Sequence, residues 1–272
     1  MTRDEIAFLL AKLGIDGRQI VVHSSLAGIG DVEGGADAVC AALMDAVGEA
    51  GAIIMPAFTA DQTLPAEGGR AIASFHPELS VDATVGAIAE SFRRLPTVLR
   101  SNHPTHSFCA WGHHGRGVLS TQRDNNVLGP LKKLNVAQGD VLLLGVSLRA
   151  ATALHLAEEQ LGVAYLRRRT AVRINAAGYD ERVVLENVPG CSIAFDRLEA
   201  RLDPAKVRQV ELPAGHARRI PIRYLVTLAA TALREDPAAF VCDRPHCADC
   251  EERRAALRLA TLDDRTGRSS SP

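Results

Sequence analysis

Short aliphatic runs alternate along this chain with helix-length amphipathic stretches, and that alternation restricts the fold more than any other feature. Gln19–Val22 is a short β-branched run and Val141–Gly145 a longer aliphatic one; both read as buried strands, and Ala52–Met55, stopped by Pro56, is a third. Arg3–Leu13 sets Ile6, Leu9, Leu10 and Leu13 at helical spacing, with Gly14 to end it. Ala36–Val47 does the same through Val39, Leu43 and Val47. Further helices fall on Thr84–Arg94, Ala151–Leu161, Ser192–Arg201 and Ile222–Leu233, with a short last one at Glu251–Leu259. Val98–Leu99 and Ser107–Trp111 are strand-like on either side of a His103-Pro104 turn. Ala171–Asn175 and Arg182–Glu186 flank Ala177-Gly178 as a hairpin. The expectation is an α/β fold: a single three-layer α/β/α domain with a mixed sheet, spanning 1–262, followed by a disordered polar tail at Asp263–Pro272.

With 272 residues, 47% of them apolar, the chain can bury a sizeable core. A formal net charge of −1 supplies no field to draw it to nucleic acid or an anionic membrane. No run reaches the about 18 apolar residues of a membrane span, and Met1-Thr2-Arg3-Asp4-Glu5 offers no apolar signal core. The expected setting is cytoplasmic and the expected partner a small molecule, with monomer and homodimer both open.

The first chemical signal is the loop after the first strand. His23-Ser24-Ser25-Leu26 leads through Gly28 and Gly30 to Glu33-Gly34-Gly35 at a helix start. Amides at a helix N-terminus, approached closely through glycines, suit a phosphate or pyrophosphate. An ordinary strand-to-helix turn explains the same glycines, since the pattern is neither a P-loop nor G-x-G-x-x-G. The polar stretch Asp61–Leu79 is the longest loop, of a length at which loops usually carry function.

Ordered blocks strengthen the first of these readings. Val22-His23-Ser24-Ser25-Leu26, Gly34-Gly35-Ala36 and Met55-Pro56-Ala57-Phe58-Thr59 are followed by Gly86-Ala87-Ile88-Ala89-Glu90 and Phe92-Arg93. Then come Arg100-Ser101-Asn102-His103-Pro104-Thr105-His106-Ser107-Phe108, Leu142-Leu143-Leu144-Gly145-Val146 and Leu154-His155-Leu156-Ala157-Glu158. Together they resemble the aminoglycoside 3-N-acetyltransferase family across roughly the first 161 residues; beyond Gly190 the likeness is weaker, with Gly215-His216-Ala217 before a helix fitting the family's closing part. The resemblance implies a fold distinct from the common small acetyltransferase fold, acetyl-CoA as donor and an aminocyclitol amine as acceptor. It also implies that His23, Ser24, Ser25, Leu26, Gly34, Gly35, Ser101, His103 and Pro104 line the coenzyme A site.

His155 and Glu158 stand three residues apart on one helix face, after the Val141–Gly145 strand. An amino-sugar ammonium must lose a proton before it can attack, and an imidazole is suited to take it, contributing about 10²–10⁴-fold. With the resemblance, His155 is expected to act as general base and Glu158 to orient it or hold the acceptor, with direct attack and no acyl-enzyme. A buried His-Glu packing pair is the plainer reading of the spacing. Backbone amides near Ser25–Leu26 would meet the oxyanion. Acids for a polycationic acceptor are sought among Asp61, Glu67, Glu90, Glu158 and Glu159, each of which except Glu158 also reads as an ordinary solvated acid.

Cys242, Cys247 and Cys250 form C-x4-C-x2-C, half of which is the usual half-site of structural zinc. His246 adjoins Cys247, and neighbours rarely both reach one ion, so Cys191 is the preferred fourth ligand. Free, oxidation-prone thiols are the alternative.

The sequence departs from the family at Asn126–Leu131, at Ala151-Thr152-Ala153 and around Arg223, nearer the acceptor than the donor. Two other functions therefore stay open: a coenzyme A-dependent acyltransferase for a different amine in natural-product biosynthesis, and an inactive scaffold carrying a zinc module. A metal-dependent hydrolase using His103, His106 and Asp61 lacks a recognised ligand spacing.

Overall fold

The computed structural model describes residues 1–64, 71–163 and 167–266. Nine strands occur in it: β1 (Gln19–Ser24), β2 (Ala52–Pro56), β3 (Leu99–Arg100), β4 (Phe108–Gly112), β5 (Asp140–Leu144), β6 (Arg167–Ile174), β7 (Asp180–Val188), β8 (Arg208–Leu212) and β9 (Gly215–Pro221). Seven of them make one sheet in the order β3-β4-β2-β1-β5-β9-β8, while β6 and β7 pair separately. The central strands β2, β1 and β5 are parallel, and antiparallel strands extend the sheet on both sides, which makes it mixed.

The parallel strands are buried on both faces, as their unbroken aliphatic sequences require. Ile20, Val22, Ile53, Met55, Leu142 and Leu144 enter one core with Ile6, Leu10, Val39, Leu43, Ile88 and Phe92. These last come from the helices Arg3–Lys12, Gly35–Val47 and Ala87–Arg94. Val21, Ile54, Val141 and Leu143 enter the other core, against Leu131, Leu134, Leu156, Leu225 and Ala229. Those belong to the helices Gly129–Val136, His155–Gln160 and Ile222–Glu235. The result is helix layers on both faces of the sheet. The first helix begins at a capping box: Thr2 Oγ1 accepts from the Glu5 amide at 3.2 Å, and Glu5 Oε2 accepts from the Thr2 amide at 2.8 Å.

Several boundaries differ from expectation. The helix expected over Ala151–Leu161 begins at His155, because the chain first passes through two 3-10 turns, Leu148–Ala150 and Thr152–Leu154. Ser192–Arg201 is a 3-10 segment, Ile193–Arg201, rather than an α-helix. The helix expected from Thr84 starts at Ala87, after Gly86 at φ 99°. Strands β8 and β9 were not anticipated. The hairpin runs longer than its two expected pieces, its turn held by Asn175 Oδ1, which accepts from the amides of Ala177 at 2.9 Å and Tyr179 at 3.1 Å. The last helix is Ala248–Thr266, so the expected tail begins inside it, and residues 267–272 lie outside the described residues. Among the described residues no helix is long and apolar enough to cross a membrane.

Candidate active site

A cavity of about 880 Å³ opens at the carboxyl ends of β1, β2 and β5, where ligands collect in parallel α/β sheets. His23, Ser24, Ser25 and Leu26 wall it from β1, Met55 and Pro56 from β2, and Gly145–Ser147 from β5. The β1 loop turns at once into a short helix, Leu26–Ile29, capped by Ser25, whose Oγ accepts from the Gly28 amide at 3.2 Å. Ser25's own amide is committed to Leu144 O at 3.0 Å, so of the amides expected to meet an oxyanion, Ser25's is spent within the sheet.

The glycines in this loop do two different things. Gly28 lies backbone to backbone with Gly145: a Cβ at Gly28 would stand 1.9 Å from the Gly145 carbonyl oxygen. Gly34 and Gly35 have φ of 79° and 58° and start the next helix, outside the cavity lining. The turn reading therefore accounts for all three. Gly28→Ala must force the β1 and β5 loops apart; overpacking of this kind costs about 3 kcal/mol. Thermal unfolding should show a Tm lower by about 6–12 °C, and an unchanged Tm would contradict the close approach.

His155 reaches the same cavity from the opposite core. Its ring is buried, edge-on to Phe195 at 4.8 Å between centroids, and its Nδ1 sits 2.6 Å from Glu158 Oε2. The single helical turn between the two residues sets that contact, and Glu158 is fully buried. Since Nδ1 is taken, Nε2 is the nitrogen left for the cavity. His23 and His106 line the cavity too, but burial pushes each imidazole down to about 3, with His155 adding to the effect on His106. Among the described residues neither has a carboxylate partner: His106 Nδ1 meets Thr105 Oγ1 at 2.8 Å, and His23 Nε2 is buried with no hydrogen-bond partner among them.

The Arg-Ser-x-His-Pro segment is placed elsewhere. Ser101 donates to Gln122 Oε1 at 2.6 Å and accepts from the Phe108 amide at 2.9 Å. His103 Nδ1 accepts from the amides of Thr105 and His106, at 3.4 and 3.0 Å, and burial together with His106 and Arg173 holds the ring neutral. The Pro104 carbonyl ties down Thr59 and Thr63 at 2.8 and 2.6 Å. Ser101 and His103 line a second cavity of about 490 Å³, with Arg116, Arg123 and Arg173 around it.

Among the described residues, none of the acids proposed for the acceptor lines the main cavity. Asp61 is exposed on the Ala60–Thr63 turn, and Glu159 pairs with Lys132 at 2.5 Å. Burial would push the Glu90 carboxyl up, but hydrogen bonds from Arg93, the Val81 amide and Arg94 outweigh it and bring the group to about 2. Glu67 lies outside the described residues. Among the described residues the lining contains no Asp or Glu, and its one formally charged Lys or Arg is Arg149. Sequence reading missed the stretch Ala83–Ala87, which brings the uncapped N-terminus of the Ala87–Arg94 helix to the cavity. Only the glycine-alanine start of that block hinted at it.

The four named cysteines converge. The sulfurs of Cys191, Cys242, Cys247 and Cys250 all lie within 4.8 Å of one another, although they come from the loop after β7, the segment that precedes the last helix and the start of that helix. None is in a disulfide. Tetrahedral zinc with sulfurs at about 2.3 Å needs sulfur–sulfur separations of about 3.8 Å, so the set can hold a metal with small side-chain adjustments. Cys250 Sγ accepts from the Cys242 amide at 3.2 Å and Cys191 Sγ from the Ile193 amide at 3.5 Å, contacts that favour a thiolate but that burial outweighs, so both thiols are pushed up. His246 is outside the cluster, with φ 58°. His103, His106 and Asp61 form no such group among the described residues. Cys40 and Cys109 are elsewhere, their thiols pushed up by burial to about 11 and about 12.

Comparison with known proteins agrees with this geometry. A family model described as aminoglycoside 3-N-acetyltransferase matches residues 21–234. The SPbeta prophage-derived aminoglycoside N(3')-acetyltransferase-like protein YokD of Bacillus subtilis (strain 168) is 39% identical over 178 residues, covering 59% of this chain and 65% of that protein. Aminoglycoside N(3)-acetyltransferase IV of Salmonella sp is 32% identical over 244 residues, covering 87% and 89%. Among solved structures, a histidine-to-alanine mutant of aminoglycoside acetyltransferase AAC(3)-IVa in complex with gentamicin superposes with a TM-score of 0.79 at 28% identity, over 94% of this chain and 97% of that one. AAC-IIIb in its binary complex with CoASH superposes with a TM-score of 0.77 at 26% identity, over 90% and 99%.

Proposed function

This chain belongs to the aminoglycoside 3-N-acetyltransferase family, and we propose that it transfers the acetyl group of acetyl-CoA to an amine, with the 3-amino group of an aminoglycoside as the favoured acceptor. The observation that carries this reading is the 2.6 Å contact between His155 Nδ1 and Glu158 in a histidine that also walls the cavity beside the Ser24–Leu26 loop. The donor fits the residues present. The cavity is long enough in volume for a pantetheine arm, and the buried, unpartnered His23 Nε2 at its wall is a polar atom that a ligand can satisfy. The exposed helix start at Gly86–Ala87 and the Arg149 side chain suit the donor's phosphates.

Acetyl-CoA supplies an activated thioester, so no enzyme nucleophile is needed. His155 Nε2 takes a proton from the acceptor ammonium; the freed lone pair attacks the thioester carbonyl; as the carbon–sulfur bond breaks, the thiolate takes the proton held on Nε2, and the nitrogen loses its second proton to solvent to give the neutral amide. Glu158 fixes the tautomer and orientation of the imidazole. The amides of Leu26 and Ala27, at the open end of the Ser25-capped turn, are the candidate oxyanion donors. The gentamicin and apramycin complexes of a related enzyme support the acceptor class. We further infer that the four cysteines hold structural zinc.

A second reading has one observation behind it. A cavity whose described lining has no carboxylate but does carry Arg149 suits a less cationic amine. Purified protein incubated with acetyl-CoA and a panel of aminoglycosides should release coenzyme A thiol with at least one of them. Release only with a different amine favours the second reading, and failure to take up coenzyme A at all contradicts both.

A further inference from the structure

We propose that Arg253 is a positioning residue for the acetyl transfer, seated on Glu158 by the helix that the four-cysteine cluster anchors. The proposal rests on His155 and Glu158 being the proton-accepting pair. Glu158 is fully buried, and a carboxylate so placed is costly unless each oxygen meets a partner or an opposite charge. Oε2 is on His155 Nδ1. Oε1 makes no hydrogen bond and faces the guanidinium of Arg253, whose Nη1 lies 3.3 Å away.

Arg253 is itself almost fully buried, and Nη1 also donates to Phe240 O at 3.1 Å. It stands one helical turn beyond Cys250, on the same helix face. Two of the clustered cysteines, Cys247 and Cys250, lie at the start of this helix, and Cys191 ties it to the segment that walls the cavity through Pro189, Gly190 and Ser192. The fit there is tight. A Cβ on Gly190 would come within 3.1 Å of Asp249 Oδ2 and 3.4 Å of Arg253 Nη2. Arg254 bonds the Cys242 carbonyl, and Arg167 of the hairpin pairs with Asp249. The helix therefore has little freedom to slide, and its fixed position sets where the Arg253 charge meets Glu158. With Oε1 held by a cation, Oε2 stays directed at the imidazole.

The test is a double-mutant cycle on the intact, metal-loaded protein, read as kcat, the KM for acetyl-CoA and metal content by elemental analysis. Arg253→Met should lower kcat by about tenfold or more with KM changed far less and metal content unchanged. Arg253→Lys, which keeps the charge, should recover most of the loss. In a Glu158→Gln background, where position 158 no longer offers a carboxylate to orient, Arg253→Met should cost kcat nothing further. An equal loss in both backgrounds, or none in the wild-type background, overturns the positioning role. If Glu158→Gln alone leaves kcat unchanged, it is the His155–Glu158 reading that fails instead. Should Arg253→Met not fold, Arg253→Gln measured in both backgrounds makes the same comparison: a loss confined to the Glu158 background supports the role, and an equal loss in both overturns it.

Discussion

Replacing His155 with alanine lowers kcat by at least about a hundredfold, the smaller end of what a positioned general base contributes, and leaves the affinity for coenzyme A unchanged. The expectation follows from what surrounds the ring. His155 lines the cavity with a carboxylate on Nδ1, which leaves Nε2 as the nitrogen for an incoming amine. His23 and His106 cannot substitute, because burial brings both imidazoles to about 3 and leaves them weak bases at neutral pH. Ser24, Ser25 and Leu26 wall the cavity from the end of a different strand, so the alanine variant keeps that wall. Steady-state kinetics and calorimetric titration with coenzyme A check the two halves separately. Activity within a few fold of the wild type would mean that some other group takes the proton.

Loss of the metal is expected to have the second large effect. Zinc should be present at one ion per chain by elemental analysis, and Cys250→Ser should abolish it. Structural zinc in small peptides is worth about 10–16 kcal/mol at pH 7. Even a fraction of that, at about 2–4 °C per kcal/mol for a domain of this size, lowers Tm by about 10 °C or more. The cluster joins the loop after β7 to the last helix, so the loss should be felt first as protease sensitivity of that helix. Metal-free protein whose Tm ignores both a chelator and Cys250→Ser would show the cysteines to be bystanders.

What the sequence disclosed, and what it concealed, follows from where each residue's constraint lies. β1, β2 and β5 were legible because a strand buried on both faces has to be aliphatic throughout. β8 and β9 were not, since Arg208–Leu212 and Gly215–Pro221 lie toward the sheet edge and carry polar residues with partners outside the sheet core: Arg218 pairs with Glu199, and Arg219 donates to Gly14 O. The contact between His155 and Glu158 follows a local rule, the three-residue spacing of one helix face, while a catalytic reading of the pair came from the family resemblance and not from the spacing. The convergence of Cys191 with the late cysteines was found by stereochemical exclusion of His246. Arg253 escaped because a charged residue in an amphipathic helix reads as solvated, and its burial depends on contacts more than ninety residues away in sequence. Ser101 and His103 line a different cavity from Ser24, Ser25 and Leu26, so residues gathered by one family motif need not share one cavity.

A crystal structure of the protein with bound coenzyme A tests the central claim most directly. The account predicts the thiol sulfur in the main cavity, between the Ser24–Leu26 loop and the His155 ring, with Nε2 facing the space where an amine would enter. Coenzyme A lodged instead in the smaller cavity beside Ser101 and His103, with its sulfur out of reach of His155, would contradict it.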